Sequence, residues 1–344
     1  MRGVAVGAGY FAQFHYDAWQ RLGGLAALCD TDHERAKKTA TQFGVPCVYT
    51  DVATMLDAVQ PDFLDIITPP ASHLPLVKLA AERGISVICQ KPLAPTLAEA
   101  EALVGTVESA KTRLMVHENF RFQPWHRAIK RELDSGSIGK LHSLTVRTRL
   151  GDGWQADAYQ ARQPYFRTMP RLLIFETGVH FLDLMRFFGG ELSRVSAWLS
   201  QRNPEIVGED SGLVIVELAS GARATWDADR YAEPLDSSSD PRLTFGEFLL
   251  EGSVGRLRLE TSGRLTRKLL GQPEEEVKYE FEQRGFAGDC VFATLAHFRD
   301  ALASGAPFET EGRDYLATLT AQDAVYRAAE TGCPQIIPHR GNPQ

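Results

Sequence analysis

Three groups of residues in this sequence have the types and spacing that chemistry requires. The first is Gly7-Ala8-Gly9-Tyr10-Phe11-Ala12, which reads G-x-G-x-x-A between a short apolar run and a helical pattern. Gly7 permits a tight turn, Gly9 lets backbone approach a pyrophosphate, and small Ala12 allows close packing of helix on strand, with Tyr10 and Phe11 in the same turn. Phosphates would then rest on the helix N-terminus, where free N–H groups and the dipole favour anions. Asp30 closes a second apolar run, Leu25 to Cys29, where a carboxylate accepts from both ribose hydroxyls and repels a 2′-phosphate; NAD is therefore expected ahead of NADP.

The second group is Lys91, between the apolar run Ser86 to Cys89 and Pro92. An alcohol that loses hydride to a nicotinamide must also lose its hydroxyl proton. A desolvated lysine at the carboxyl edge of a sheet is suited to hydrogen-bond that oxygen and take the proton, whereas a surface lysine after a strand is the bland alternative. The third group is Glu176-x-x-x-His180-x-x-Asp183, which on a helix puts all three side chains on one face. A lone helical histidine is usually a satisfied core group; its company with Lys91 and Glu176 gives it functional interest.

These residues need a scaffold, and the hydrophobic pattern supplies one. Strand-like runs at Val4 to Val6, Leu25 to Cys29, Cys47 to Tyr49, Phe63 to Ile67, Ser86 to Cys89 and Leu114 to Val116 alternate with helical stretches. Thr96-Leu97-Ala98-Glu99 carries a capping box. Strands that are apolar throughout and alternate with helices imply a parallel sheet covered on both faces. Near Phe120 the pattern changes. A helix from Trp125 to Leu133 precedes a strand with Leu141, Ser143, Thr145 and Arg147, and strands dominate after 194: Val195 to Leu199, Gly212 to Leu218, Ala222 to Ala228, Leu243 to Glu251, Val254 to Glu260 and Val277 to Phe281. Ser237 to Ser239 and Glu274 to Glu276 read as solvated turns, and two helices, Cys290 to Leu302 and Asp314 to Glu330, end the chain. The expected fold class is α/β plus α+β: a doubly wound Rossmann sheet over 1–120, then an open antiparallel sheet flanked by helices over 121–344.

A chain of 344 residues, 24% charged and 44% hydrophobic, suits two globular domains. The net charge of −7 and the lack of a lysine or arginine stripe argue against a nucleic-acid partner. No run approaches membrane-spanning length and none resembles a signal peptide, so a cytoplasmic location is expected. Five scattered cysteines, at 29, 47, 89, 290 and 333, form no metal-ligand pattern; reduced, mostly buried thiols are expected, and no metal.

Four segments together resemble a known family. Gly7-Ala8-Gly9, Thr68-Pro69-Pro70-Ala71-Ser72-His73, Gln90-Lys91-Pro92-Leu93 and Glu176-Thr177-Gly178-Val179-His180-Phe181-Leu182-Asp183 occur in the order and at about the spacing of the Gfo/Idh/MocA oxidoreductases. This is the family of glucose-fructose oxidoreductase and inositol dehydrogenase, and the resemblance spans essentially the whole chain. It implies that Lys91 handles the substrate proton, that His180 is an acid/base group, and that Glu176 binds or orients substrate beside it. It also implies that Thr68, Pro70, His73, Gln90 and Lys91 line the cofactor, with His73 either touching the nicotinamide side or capping a helix. Two departures stand out: Gln90 replaces the usual Glu, and Glu176 the usual Asp. Asn119 and Arg121 fall in the crossover between domains, where reaching a ligand and fixing the crossover are equally open. The stretch 151–171, with Trp154, Tyr159, Tyr165, Phe166 and Arg167, suits a sugar or a subunit contact.

The function implied is NAD-dependent oxidation of a hydroxyl on a sugar or polyol, with an aldose at C1 as the first expectation and a homodimer or homotetramer as the assembly. Two alternatives belong to other classes: an NAD-retaining glycosidase of the same fold, and a non-catalytic nucleotide-responsive binding protein, which Lys91 and His180 jointly disfavour.

Overall fold

The computed structural model describes residues 1–234 and 240–339, so the serine tract Ser237 to Ser239 lies outside the described residues. By its internal contacts the chain forms two compact units, one of residues 1–119 with 289–316 and the other of 120–288 with 317–344.

In the first unit, strands β1 (Gly3–Val6), β2 (Ala27–Cys29), β3 (Cys47–Tyr49), β4 (Phe63–Ile66), β5 (Ser86–Gln90) and β6 (Leu114–His117) make one parallel sheet in the order 3-2-1-4-5-6. That order reverses between β1 and β4, the switch point at which open α/β sheets bind ligands. The connecting helices are α1 (Ala12–Arg21), α2 (His33–Phe43), α3 (Val52–Val59), α4 (His73–Ala81) and α5 (Leu97–Ser109). Their ends follow local chemistry. Asp32, Asp51 and Thr96 each accept a backbone N–H in the first turn of α2, α3 and α5, and Gly44 ends α2 in the left-handed conformation.

The second unit begins with α6 (Pro124–Asp134), β7 (Leu141–Arg149) and α7 (Val179–Gly189). Strands β8 (Leu192–Ser200), β9 (Ser211–Leu218), β10 (Arg223–Asp229), β11 (Glu247–Gly252), β12 (Gly255–Leu259), β13 (Leu265–Leu269) and β14 (Glu274–Glu276) follow. The chain closes with α8 (Cys290–Ser304), α9 (Gly312–Thr331) and β15 (Gln335–Ile336). Among the described residues the second sheet has nine strands in the order 14-13-12-11-7-10-9-8-15, antiparallel except for the β7–β10 pair. One face buries Val214, Val216, Ala224, Trp226, Leu144, Val146, Phe248 and Leu250 against apolar side chains of α6, α7 and α9. The other face carries Trp198, Leu213, Asp227, Arg147 and Glu247 in one cross-strand row.

Three expectations need correction. Glu274 to Glu276 is not a turn but strand β14: Glu275 lies opposite Arg267, and Glu274 and Glu276 pair with Arg256 and Arg264, so ion pairs stabilise an exposed edge that apolar patterning cannot reveal. Val277 to Phe281 is not a strand. After the single bond from the Val277 N–H to the Leu265 carbonyl the segment leaves the ladder, and Tyr279 and Phe281 alternate inward as stacked rings without backbone pairing. Finally, 289–316 belongs with the first unit rather than with the rest of 121–344. Helix α8 packs on α1, Phe298 meets the stacked Trp19 and Phe63 rings edge-on, and Arg21 grips Asp289 through two 2.7 Å hydrogen bonds.

Candidate active site

Gly7 and Gly9 follow β1 for different reasons. Gly7 has φ +105°, and a Cβ there would lie 2.5 Å from the Ile67 carbonyl oxygen, so the fold itself requires glycine. A Cβ on Gly9 would meet no protein atom within 4 Å; its missing side chain leaves open space at the mouth of α1. The N-cap of α1, Phe11, makes no side-chain capping bond and the first turn contains no acid. The dipole at this helix N-terminus suits an anion. Ala12 is buried under the helix, while Tyr10 is exposed and stacks edge-on against Phe14. These features fit a dinucleotide pyrophosphate.

Asp30, at the end of β2, is buried and heavily engaged. Its Oδ2 accepts from the Ala8 N–H at 2.7 Å, its Oδ1 from the Asp32 N–H at 2.9 Å, and Arg35 closes a charge-assisted fork with Nη2 2.6 Å from Oδ1. Burial pushes this carboxyl up, but the Arg35 guanidinium and the two backbone N–H groups outweigh it and hold it below the usual carboxylate range. The group is thus an anion tied directly to the glycine turn, as a ribose-binding acid must be. Sequence reasoning did not single out Arg35, although an arginine one helical turn past the acid is visible in the chain.

The turn after β4 presents Thr68 and Pro70. Ser72 donates to the Thr68 hydroxyl at 2.7 Å, and Pro70 opens a short 3-10 turn before α4. His73, fully buried, places Nε2 2.7 Å from the Thr68 carbonyl and Nδ1 2.9 Å from the Leu93 carbonyl. It clamps the turn after β4 to the segment after β5. Burial pushes its imidazole below the ordinary value, with the two carbonyls pulling the other way. Lys91 directly follows β5, and its bond to Pro92 is cis. Gln90 is buried, and its carboxamide meets His15, His117 and the Lys91 N–H. The residues expected to hold cofactor thus follow β1, β2, β4 and β5, four neighbouring strands at the carboxyl edge of one sheet.

In the second unit the segment carrying Glu176 is not a regular α-helix. Leu173–Gly178 forms a π-helical turn and α7 starts only at Val179, so the expected common face of Glu176, His180 and Asp183 is interrupted between the first and the second. His180 is buried and lies face to face on Phe120, with centroids 3.9 Å apart and planes 4° from parallel. Asp183 accepts from Arg121 Nε at 2.5 Å and Nη2 at 2.9 Å, and from the Thr318 hydroxyl at 3.1 Å. Asp183 and Arg121 therefore anchor α7 to the start of the second unit. Asn119, in the first unit, donates to the Cys290 sulfur at 3.2 Å.

The stretch 151–171 divides between core and surface. Tyr159 and Phe166 pack with Leu172 and Ile206, whereas Trp154 and Tyr165 are exposed. Buried Arg230 joins Asp152, the Tyr159 hydroxyl and the Thr177 hydroxyl, tying this stretch to the turn that carries Glu176. Arg230 was not anticipated, because its partners, in 151–171 and at Thr177, lie far from it in sequence. Among the described residues no cluster of three or more His, Cys, Asp or Glu could hold a metal ion, and no helix is long and apolar enough to cross a membrane.

A parallel sheet with this order, a glycine turn open for pyrophosphate and an anionic residue closing β2 define an NAD-binding oxidoreductase unit. Comparison with known proteins agrees. Residues 1–118 match the model of the oxidoreductase family NAD-binding Rossmann fold, and residues 126–258 match the GFO/IDH/MocA C-terminal domain. The chain is 37% identical to a D-apiose dehydrogenase of Paraburkholderia graminis, over 96% of this chain and 88% of that one. It is 33% identical to a D-apiose dehydrogenase of Rhizobium rhizogenes, over 96% of both. Among solved structures, an oxidoreductase from Agrobacterium radiobacter, crystallised with NAD+, L-tartaric acid and magnesium, superposes with a TM-score of 0.90 at 33% identity, covering 98% of both chains. The chain belongs to the Gfo/Idh/MocA family of NAD-dependent oxidoreductases.

Proposed function

We propose that this enzyme oxidises a hydroxyl of a sugar, with the anomeric C1 hydroxyl of a pentose-sized aldose such as D-apiose as the leading candidate and a lactone as the product. The observation that carries the reading is the position of Lys91, on the residue after β5 and at the same sheet edge as the glycine turn and Asp30. The two relatives named D-apiose dehydrogenase support the substrate class.

Bound NAD supplies the hydride acceptor. The substrate C–H bond breaks with its electron pair, the C–O bond gains double-bond character, and the hydroxyl proton must leave. Lys91 hydrogen-bonds that oxygen and receives the proton, and His180 is the acid/base group of the second unit. Phe120, stacked on the imidazole, fixes the plane in which His180 meets substrate. Glu176 accepts from neighbouring sugar hydroxyls and orients the ring. Asp30 would hold the adenosine ribose, and the first turn of α1 the pyrophosphate, with Gly7, Gly9, Tyr10, Phe11 and Ala12 shaping the cradle. Thr68, Pro70 and His73 line the nicotinamide side through the turn that His73 clamps.

The second unit also presents a face for self-association. Exposed Trp198 stands in a row with Leu213, and Leu249 and Ile215 lie in the adjacent row, so we place a homodimer or homotetramer contact on this outer sheet face. A cytoplasmic location suits the demand for soluble NAD and the five free thiols among the described residues.

Replacing Lys91 by Met tests the mechanism. The turnover number should fall about 10²- to 10⁴-fold, the range for losing a positioned proton-transfer group, while NAD still quenches protein fluorescence at wild-type concentrations. Wild-type turnover in K91M would exclude the assigned role.

A further inference from the structure

Beneath Lys91 lies a buried polar chain that the reaction as described does not use. Asp65 on β4, His15 on α1, Gln90 at the end of β5 and His117 at the end of β6 are each 7% exposed or less. Asp65 Oδ2 lies 2.8 Å from His15 Nδ1 and accepts from the Trp19 indole N–H at 2.7 Å. His15 Nε2 is 2.8 Å from Gln90 Nε2, which is also 3.2 Å from His117 Nδ1. Gln90 Oε1 accepts the Lys91 N–H at 3.0 Å. The two imidazoles overlap, with centroids 4.2 Å apart.

Donor and acceptor rules assign every proton in this chain. The Lys91 peptide N–H only donates, so the atom of Gln90 facing it must be the oxygen, and the Gln90 NH₂ must face the imidazoles. Those two N–H groups need acceptors, so His15 Nε2 and His117 Nδ1 carry no proton. His15 then carries its proton on Nδ1 and donates it to Asp65, the arrangement that carboxylate requires. Both imidazoles are neutral, which their close approach also favours, because two imidazolium ions at that separation repel.

We propose that Gln90 is a positioning residue for Lys91: its carboxamide ties the lysine backbone to a neutral histidine pair, a task that needs two donors and one acceptor and that a carboxylate cannot perform. The proposal rests on the proton-handling role of Lys91. A Glu at 90 would present acceptors only. It would repel no N–H but would force a proton onto His15 Nε2 and move the His117 proton to Nδ1, while meeting the Lys91 N–H as one of three competing donors. The charged and titratable groups around the hub are Asp65 from β4, Tyr16 from α1, Cys89 from β5, Lys91 just after it, and Glu118 just after β6. Tyr16 and Cys89 are held neutral by burial and by Asp65, and Glu118 is bonded by the Tyr315 hydroxyl at 2.9 Å.

The test joins histidine ring ¹H–¹⁵N NMR with kinetics on the full chain, comparing wild type, Q90E and Q90A. Assignments come from the signals lost in H15F and H117F. Wild type should show His15 as the Nδ1–H tautomer and His117 as the Nε2–H tautomer across neutral pH, whereas Q90E should show His15 doubly protonated. Q90E should lose about tenfold to a hundredfold in kcat, the scale of an ångström of mispositioning, with KM for NAD within about twofold and a pH–rate profile that gains an ionisation. Q90A should lose kcat without the new ionisation. A doubly protonated His15 in wild type overturns the proposal even if Q90E fails to fold. Wild-type kcat in Q90A, or a changed Q90E spectrum with unchanged kcat, also overturns it. If wild type oxidises no sugar, the functional reading fails, and the NMR result still decides the hub.

Discussion

At the end of β1 two glycines separated by one alanine answer to different demands, and variants can separate them. Gly7→Ala puts a methyl 2.5 Å from the Ile67 carbonyl oxygen at a positive φ, so the first unit should lose about 1–3 kcal/mol and melt earlier. Gly9→Ala meets open space, so the melting temperature should stay within a degree or two while NAD affinity falls at least about tenfold; calorimetry and cofactor titration read the two effects. His73 gives a pH dependence with a definite sign. Its folded value lies below the ordinary imidazole value of 6.5, so the unfolded chain binds the proton more readily. The stability it contributes is full above that value and is lost as pH falls below it. Thermal melts from neutral pH downward should show this decline, and His73→Asn should flatten it. The placement of Gly7, Gly9, Asp30 and Lys91 just after strands was legible in the sequence because each follows an apolar run. Arg35, Arg230 and the His15–Gln90–His117 hub were not, because hydrogen bonds between distant segments leave no local spacing.

The element that presents His180 is held from both sides of its charge. Arg121 and Thr318 grip Asp183 on α7, and Arg186 on the same helix donates to the Thr318 hydroxyl at 3.0 Å and to Glu191 at 2.7 Å. Asp183→Asn leaves the Arg121 guanidinium without its anion in a buried place, and the second unit should lose about 3–5 kcal/mol in denaturant melts; Asp183→Asn together with Arg121→Met should recover part of it. The pattern of apolar residues identified the regular strands and helices apart from β13, β14 and β15. It failed where another interaction set the structure. Ion pairs hold β14, ring stacking produces the alternation of 277–281, and the π-helical turn before α7 comes from one extra residue that side-chain type does not announce.

A face with Trp198 60% exposed beside Leu213 should be covered in a stable oligomer, and Trp198→Glu should shift light-scattering mass toward the monomer without changing circular dichroism. The two-unit plan was readable from the change of pattern near residue 120. The return of α8 to the first unit was not, since its amphipathic face fits either partner and only Trp19, Phe63 and Arg21 choose for it. The central claim is that the chain oxidises a sugar hydroxyl with NAD, and the direct measurement is NADH absorbance over a panel of aldoses, D-apiose among them, and inositols, each with NAD and with NADP. The account predicts turnover with one or more pentose-sized aldoses, with kcat/KM for NAD at least about tenfold above that for NADP. Turnover with inositols alone, or no reduction of either cofactor by any member of the panel, would contradict it.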